Sequence, residues 1–432
     1  MSLSVIALII VFIGLLYINV PVAFCMGIAT TVAFYIMHLP AATAVAHNIA
    51  TGIDSFTLLA IPFFILSGLL MGHGGIARRL IDFANVLVGR FRGGLAFVNI
   101  LTCMLFGAIS GSAAAAVSSV GGFMIPLMNK MGYDRDFNTS ITVTAATTGL
   151  LIPPSNVMIV YSLATGGVVS IAAIFMAGVV PGILVGLGLI FVSSIISIKH
   201  GYGKGEKFTF KEAVVKFLSA IPALMLIVIV IGGILAGMFT ATEASAIAVV
   251  WSLFLAVICY KEVKWKEMPG ILLQCGVTTS VVFMLIGTSM AMSWVLAAEN
   301  VPQNISAGLM SLTGNKIMLL LMINMILLAV GTFMDMTPAI LIFTPIFLPI
   351  VRGLGVDPLH FGIIMIINLC IGLCTPPVGT CLFLGCGIGK TTVTNVIRKI
   401  FPFFISMIVV LLLCTYVEWF SLALPKALGL LN

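Results

Sequence analysis

Thr148-Gly-Leu-Leu-Ile-Pro-Pro-Ser-Asn156 and Gly372-Leu-Cys-Thr-Pro-Pro-Val-Gly-Thr380 are the stretches that decide the fold of this chain. Each interrupts a long apolar run with residues that a continuous helix does not tolerate. They sit inside a longer correspondence, because residues 126–166 return in register 223 positions later. Pro126 matches Pro349, Gly132 matches Gly355, Asp134 matches Asp357 and Gly166 matches Gly389. A doubled chain in which Gly and Pro interrupt apolar segments at corresponding places is the sequence pointer to a secondary transporter's binding site.

Composition agrees with a membrane protein. Hydrophobic residues make up 61 % and charged residues 8 %, where a soluble domain carries about a quarter charged residues. Mean hydropathy is +1.27. The first 53 residues hold no Asp, Glu, Lys or Arg and read as two spans, near 4–18 and 21–37, parted at Asn19-Val20-Pro21. They lack a basic leading region and a small-residue cleavage site, so they are expected to be mature membrane protein, not a signal peptide. The net charge of +7 is scattered among loops and does not point to nucleic acid. Nine cysteines lie in apolar runs. Cys370, Cys374 and Cys381 share a helical face, and small buried core residues are the expected reading of them.

Each half shows the same order of segments. In the first, spans near 4–18, 21–37 and 56–72 precede an amphipathic stretch (75–92) and an apolar segment (94–129) bent at Gly107–Ser112. A span interrupted in its middle (137–165) and a last span (170–198) complete it. The second half repeats this at 217–237, 243–259, 277–297, 299–315, 316–351, 359–386 and 400–424. If both bent segments are re-entrant helical hairpins, each half (1–212 and 213–432) crosses five times, one crossing being the broken helix. Then 17 of the 20 basic residues fall on one side, leaving Lys316, Arg352 and Lys426 opposite. The positive-inside rule makes the rich side cytoplasmic. Five is odd, so the halves are inverted relative to each other and both termini lie outside. Hairpin one enters from the cytoplasm and hairpin two from the exterior. The expected fold is an all-α polytopic membrane protein of two inverted-topology repeats.

Non-helical backbone at membrane depth must line a cavity or be buried in protein. Four such places are expected: the two hairpin tips and the two breaks. Freed carbonyls and nearby hydroxyls there suit a hard cation such as sodium. Half-helices restarting at Gly111-Ser112 and at Asn156 point positive ends toward the same region, which suits a carboxylate. No Lys or Arg lies inside an expected span. Asp335, in Gly331-Thr-Phe-Met-Asp-Met-Thr337, is the best placed intramembrane acid, and such acids are costly and usually functional. It either caps the second hairpin arm, contacts a cation, or does both. Glu243 is read as structural or gating, and Glu418 as interfacial.

These residues resemble a known family. The Ser110-Gly-Ser112 tip, the Pro153-Pro-Ser-Asn156 break, the Gly331-Thr-Phe-Met-Asp335 tip with Thr337-Pro338, and the Thr375-Pro-Pro-Val-Gly-Thr380 break are similar to the large membrane subunit of tripartite ATP-independent periplasmic (TRAP) transporters. The resemblance covers essentially the whole chain. It implies a sodium-driven elevator-type importer of organic acids in the bacterial inner membrane, either sialic acid or another carboxylated sugar, or a four-carbon dicarboxylate. It also implies a small four-helix membrane subunit as stable partner, absent from this chain, and a soluble periplasmic binding protein that delivers substrate. With the carbonyls freed at the breaks, the candidate sodium ligands are Gly107, Ser110, Gly149, Ser155, Asp335, Gly372, Thr375 and Gly379. The candidate substrate contacts are Ser112, Asn156, Thr337 and Thr380. The second break has Val378 where the first has Ser155, so the two cation sites are not expected to be identical. The moving body is expected to comprise 94–165 and 316–386, with the remaining spans as scaffold and the amphipathic stretches as hinged arms.

Two rivals stand beside this reading. One is a stand-alone sodium–dicarboxylate symporter with the same hairpins and no partners. The other is an intramembrane serine protease, suggested by Ile109-Ser110-Gly111, but His38, His47, His73, His200 and His360 all lie near span ends, where none is placed as a general base.

Overall fold

The long apolar runs of the sequence become helices because nothing but an intrasegment ladder satisfies backbone groups in lipid. A computed structural model describes residues 2–203, 209–312, 315–376 and 378–431, and no strand occurs among them. Lys204, Lys207 and Pro377 lie outside the described residues. Among those described, eight helices are long and apolar enough to cross a membrane, or nine when one bent pair counts as a single span.

The first unit comprises α1 (Leu3–Tyr17), α2 (Val22–Ile36) and α3 (Ala41–Ile53). Helices α1 and α2 fall where the spans near 4–18 and 21–37 are expected. Helices α1 and α2 are 15 residues each, about 22 Å at 1.5 Å per residue, against a hydrocarbon core of about 30 Å. They pack on each other. Helix α3, in a segment to which the sequence pattern assigns no element, is amphipathic and packs against α2 and a later long helix.

A 3₁₀ turn (Phe56–Leu59) leads into α4 (Ala60–His73) and the short amphipathic α5 (Ile76–Val88). Hairpin one comes next as α6 (Gly94–Ser110) and α7 (Ala113–Lys130). The first broken helix is α8 (Arg135–Thr148) and α9 (Asn156–Ala164), bent by 50° at its break, and α10 (Ile171–Lys199) ends this half. The second half runs through α11 (Phe210–Leu235), α12 (Ala241–Leu253) and α13 (Met268–Ala298) to the short α14 (Val301–Leu312). Hairpin two is α15 (Lys316–Phe333) and α16 (Met336–Gly353), and the second broken helix is α17 (Pro358–Gly372) and α18 (Thr380–Gly389). Helices α19 (Val393–Tyr416) and α20 (Trp419–Ala427) close the chain.

Shifted by 223 positions, the bounds of α6 to α9 fall within two residues of those of α15 to α18. Packing obeys the same rule. The first hairpin arms lie on the neighbouring broken helices, α6 on α8 and α15 on α17. The second arms cross over, α7 onto α18 and α16 onto α9. At the centre the Cys370 thiol donates to the Thr147 carbonyl at 3.3 Å. These two residues are themselves 223 apart, and a residue meeting its own counterpart is what a two-fold relation produces.

Several polar side chains buried in this core pair across helices. Asn99 on α6 donates to Thr142 on α8 at 2.7 Å. In the other half Asn368 on α17 donates to Asn324 on α15 at 2.8 Å, and Asn324 donates to Thr415 on α19 at 3.0 Å. His360 is likewise absorbed, its Nδ1 2.5 Å from the Ser421 hydroxyl.

The remaining helices form a second group in which α4 packs on α12, and α13 packs on α2, α3 and α4. Helices α10 and α19, expected to stay with this group, pack instead against α8 and α17, and α10 also against α6. The amphipathic α5 bridges the groups. It packs on α6 and α11, with Lys216 and Asp82 paired at 2.8 Å and the Arg79 guanidinium 3.7 Å from the centre of the Tyr260 ring. Glu243 closes a capping box, its Oε2 accepting from the Thr240 N–H at 2.8 Å. Glu418 pairs with Lys316 at 3.1 Å, joining hairpin two to the start of α20.

Candidate functional site

The two tips turn by different means. At the first, Gly111 takes φ 61° and its N–H donates to the Gly107 carbonyl at 2.8 Å, ending α6 in the left-handed cap that glycine permits. A Cβ there would also stand 3.0 Å from Asn156 Nδ2. Ser112 then caps α7, its Oγ accepting from the Ala115 N–H at 3.2 Å. At the second tip Asp335 occupies the matching N-cap position of α16 and makes no capping bond. Its Oδ1 accepts from the Thr380 hydroxyl at 3.2 Å, so the carboxylate faces the second break instead of its own helix.

The breaks differ too. At the first, a 3₁₀ turn (Gly149–Leu151) precedes α9, and Ser155 is its N-cap without a capping bond. Ser155 Oγ and Asn156 Oδ1 are buried and have no hydrogen-bond partner among the described residues. At the second, the Val378 N–H donates to the Thr332 carbonyl at 3.2 Å, strapping the break to the tip of hairpin two. The Thr375 hydroxyl donates back to the Ile371 carbonyl at 2.7 Å.

Glycine brings tip and break together in both halves. A Cβ on Gly107 would stand 2.8 Å from Gly149 Cα, and one on Gly372 would stand 2.5 Å from Gly331 Cα. Hairpin arm and broken helix therefore touch backbone to backbone. Three of the carbonyls proposed as cation ligands already accept one N–H each: Gly107 from Gly111, Gly149 from Ile152, and Gly372 from Thr375. A carbonyl has two lone pairs, so each keeps one for a cation.

Two cavities open at these elements. The larger, about 600 Å³, lies among α4, hairpin one, α9 and α13, and Ser110, Ser112, Asn156 and Thr337 line it. The smaller, about 390 Å³, lies at hairpin two, and Asp335, Thr337, Gly379 and Thr380 line it. Val282 of α13 and Thr337 line both. Among the described residues, neither lining contains Lys or Arg. Gly107, Gly149, Ser155, Gly372 and Thr375 sit behind these walls and face neither cavity.

The sequence pattern thus locates the tips and breaks but misses the opposite walls. His73, Ser118, Ser119, Gln274 and Thr278 line the larger cavity, and Pro21 and Val22, at the start of α2, line the smaller. The polar residues Gln274 and Thr278, one turn apart in an apolar span, are the available signal.

Three helix N-termini converge on one region walled by hydroxyls, with an acid and no Lys or Arg among the described residues of the linings, and comparison with known proteins gives this arrangement its family. Residues 9–420 match the model of the tripartite ATP-independent periplasmic transporter, DctM component. The chain belongs to that family. It is 44 % identical to the C4-dicarboxylate TRAP transporter large permease protein DctM of Pseudomonas aeruginosa, over 87 % of this chain and 88 % of that one. It is 35 % identical to the sialic acid TRAP transporter large permease protein SiaM of Vibrio cholerae, over 96 % of each. A Salmonella typhimurium protein, uncharacterized protein YgiK, is 51 % identical over 95 % of this chain and 94 % of that one. Among solved structures, the Alcanivorax borkumensis YdaH transporter superposes with a TM-score of 0.65, at 13 % identity over 89 % of this chain and 88 % of that one. That likeness is one of fold. This TRAP large permease is a multi-pass membrane transporter of the bacterial inner membrane, not an enzyme.

Proposed function

We propose that this TRAP permease imports organic acids by coupling them to inward sodium movement. The carrying observation is the Asp335 carboxylate on a cavity wall, beside Thr380 and with no Lys or Arg among the described residues of either lining. A carboxylate left without a basic partner in such a place attracts a cation. At hairpin two the ligands would be Asp335 with the carbonyls of Gly372 and Gly379 and Thr375. At hairpin one they would be the buried Ser155 hydroxyl and Ser110, with the carbonyls of Gly107 and Gly149. Bound cations at both tips would supply positive charge that the protein does not. Ser112, Asn156, Thr337 and Thr380 then take the substrate carboxylate, helped by the N-termini of α7, α9 and α16.

The two halves are read as inverted, with both termini outside. Whether α1 and α2 cross twice or enter and return, the later helices keep the same sidedness. The moving body comprises the hairpins and broken helices (94–165 and 316–386), joined here by α10, α19 and α20, which pack on them. Helices α1–α4 and α11–α13 are the scaffold, and α5 and α14 the arms. A small four-helix membrane subunit stays with the scaffold, and a soluble periplasmic protein delivers the acid. The substrate is a four-carbon dicarboxylate or a carboxylated sugar such as sialic acid, the classes that the names of relatives carry.

Uptake into proteoliposomes holding this chain, its small partner and a binding protein tests the coupling. Accumulation is expected with an inward sodium gradient. Equal uptake with potassium in place of sodium, driven by a proton gradient alone, would reject it.

A further inference from the structure

Beyond the tips, the larger cavity is lined by polar side chains only partly used by the protein's own hydrogen bonds. Gln274 and Thr278 stand one turn apart on α13, and the Thr278 hydroxyl donates to the Gln274 carbonyl at 2.9 Å. The Gln274 carboxamide has no partner among the described residues, and neither do the hydroxyls of Ser118 and Ser119 on α7. Serine in a helix ordinarily bonds the carbonyl four residues back, as Ser140 and Ser194 do here. The only ionisable side chain among the described residues of this lining is His73.

The first half of α13 is anchored by residues beside Gln274 on the same helical stripe. Ile271 packs with Leu70, Ala256 and Val263, and the Cys275 thiol meets the Pro62 carbonyl at 3.5 Å. That anchoring holds Gln274 at the cavity. A carboxamide carries two donors and an acceptor, and leaving them unused in an apolar helix is costly unless water or a ligand takes them.

We propose that Gln274, with Ser118 and Ser119 of the same cavity lining, forms a second substrate-contact zone on the cytoplasmic side of the tips. It receives the hydroxyl, carbonyl or amide groups of an organic acid whose carboxylate is leaving the helix N-termini. Gln274 is the scaffold's contact and the serines are the moving body's. The inference rests on the orientation and the division into scaffold and body proposed for the transport cycle.

The test uses the full chain with its small partner in proteoliposomes, with Cys259→Ser removing the one exposed cysteine among the described residues. In that background Gln274→Cys should react with an impermeant maleimide from the cytoplasmic side. Gluconate, which carries hydroxyls, should slow that reaction about tenfold, and succinate less, as expected for one lost or gained hydrogen bond to a ligand. Gln274→Leu should lower the maximal uptake rate by a similar factor with the external half-saturation unchanged, and Gln274→Asn should restore part of it. Labelling indifferent to both acids, or Gln274→Leu transporting at the parental rate, would overturn the zone. Loss of sodium dependence in the parent chain would instead reject the sodium coupling, because protection requires only that the acid binds.

Discussion

The two hairpin tips occupy the same place in the repeat and do different work. Ser112 and Asp335 are 223 residues apart and are both N-caps, yet Ser112 spends its oxygen on its own helix and Asp335 turns to Thr380. Ser155, buried and unpartnered at the first break, stands where the second break has the exposed Val378. Helix bounds and the glycine contacts have been kept between the halves, while side-chain chemistry has not. Backbone approach admits glycine alone at Gly149 and Gly372, so the frame is constrained. A side chain aimed into a cavity meets no such limit, and each half is free to hold a different ligand.

The largest effects should come from the shared frame. Gly149→Val and Gly372→Val each push a side chain into a facing backbone, a clash that costs several kcal/mol. Both variants are expected to lose the folded protein, read as yield and thermal midpoint after detergent extraction. A stable Gly372→Val variant would mean that hairpin two does not dock on the second broken helix.

Next come the two caps, where the halves should part. Asp335→Ala is expected to cut sodium-driven uptake by about a hundredfold or more, as loss of a charged ligand does, with assembly intact. Because Asp335 makes no capping bond, Asp335→Asn should be nearly as damaged. Ser112→Ala loses a cap worth about 1 kcal/mol and should lower the thermal midpoint while retaining measurable uptake. Full activity in Asp335→Asn would leave that residue a structural role only.

A smaller effect is expected where body meets scaffold. A Cβ on Gly68 of α4 would stand 2.6 Å from the Ser110 carbonyl. Gly68→Ala should leave folding within about 1 kcal/mol of the parent, since the contact lies between groups that each pack separately, and should slow uptake. An unslowed variant would argue that α4 and hairpin one do not pass each other.

Much of this is legible because Gly and Pro punctuate the chain twice at one spacing, and breaks in apolar helices have few other causes. The hairpins, both breaks and the hydroxyls at Ser110, Ser112, Ser155 and Thr380 are read from that punctuation. How deep α1 and α2 run is not legible, because 53 residues without Asp, Glu, Lys or Arg contain no mark of depth. Helix α10 packs on neighbours the sequence does not indicate, because a helix apolar on every side does not announce which side it packs. The far wall is hidden for the opposite reason. Gln274 is one of several polar residues in a 31-residue helix, and only the cavity shows what it faces.

The central claim is that the tips and breaks travel together past a fixed scaffold. Ser118 on hairpin one and Thr380 at the second break are both exposed and lie on opposite sides of the site. Single cysteines at these positions, in the Cys259→Ser background and reconstituted with the partner subunit, should report the movement to an impermeant thiol reagent. Both are expected to change the side from which they are labelled as sodium and substrate are varied. If each is labelled from one side only under every condition, while uptake remains intact, the elevator account is contradicted.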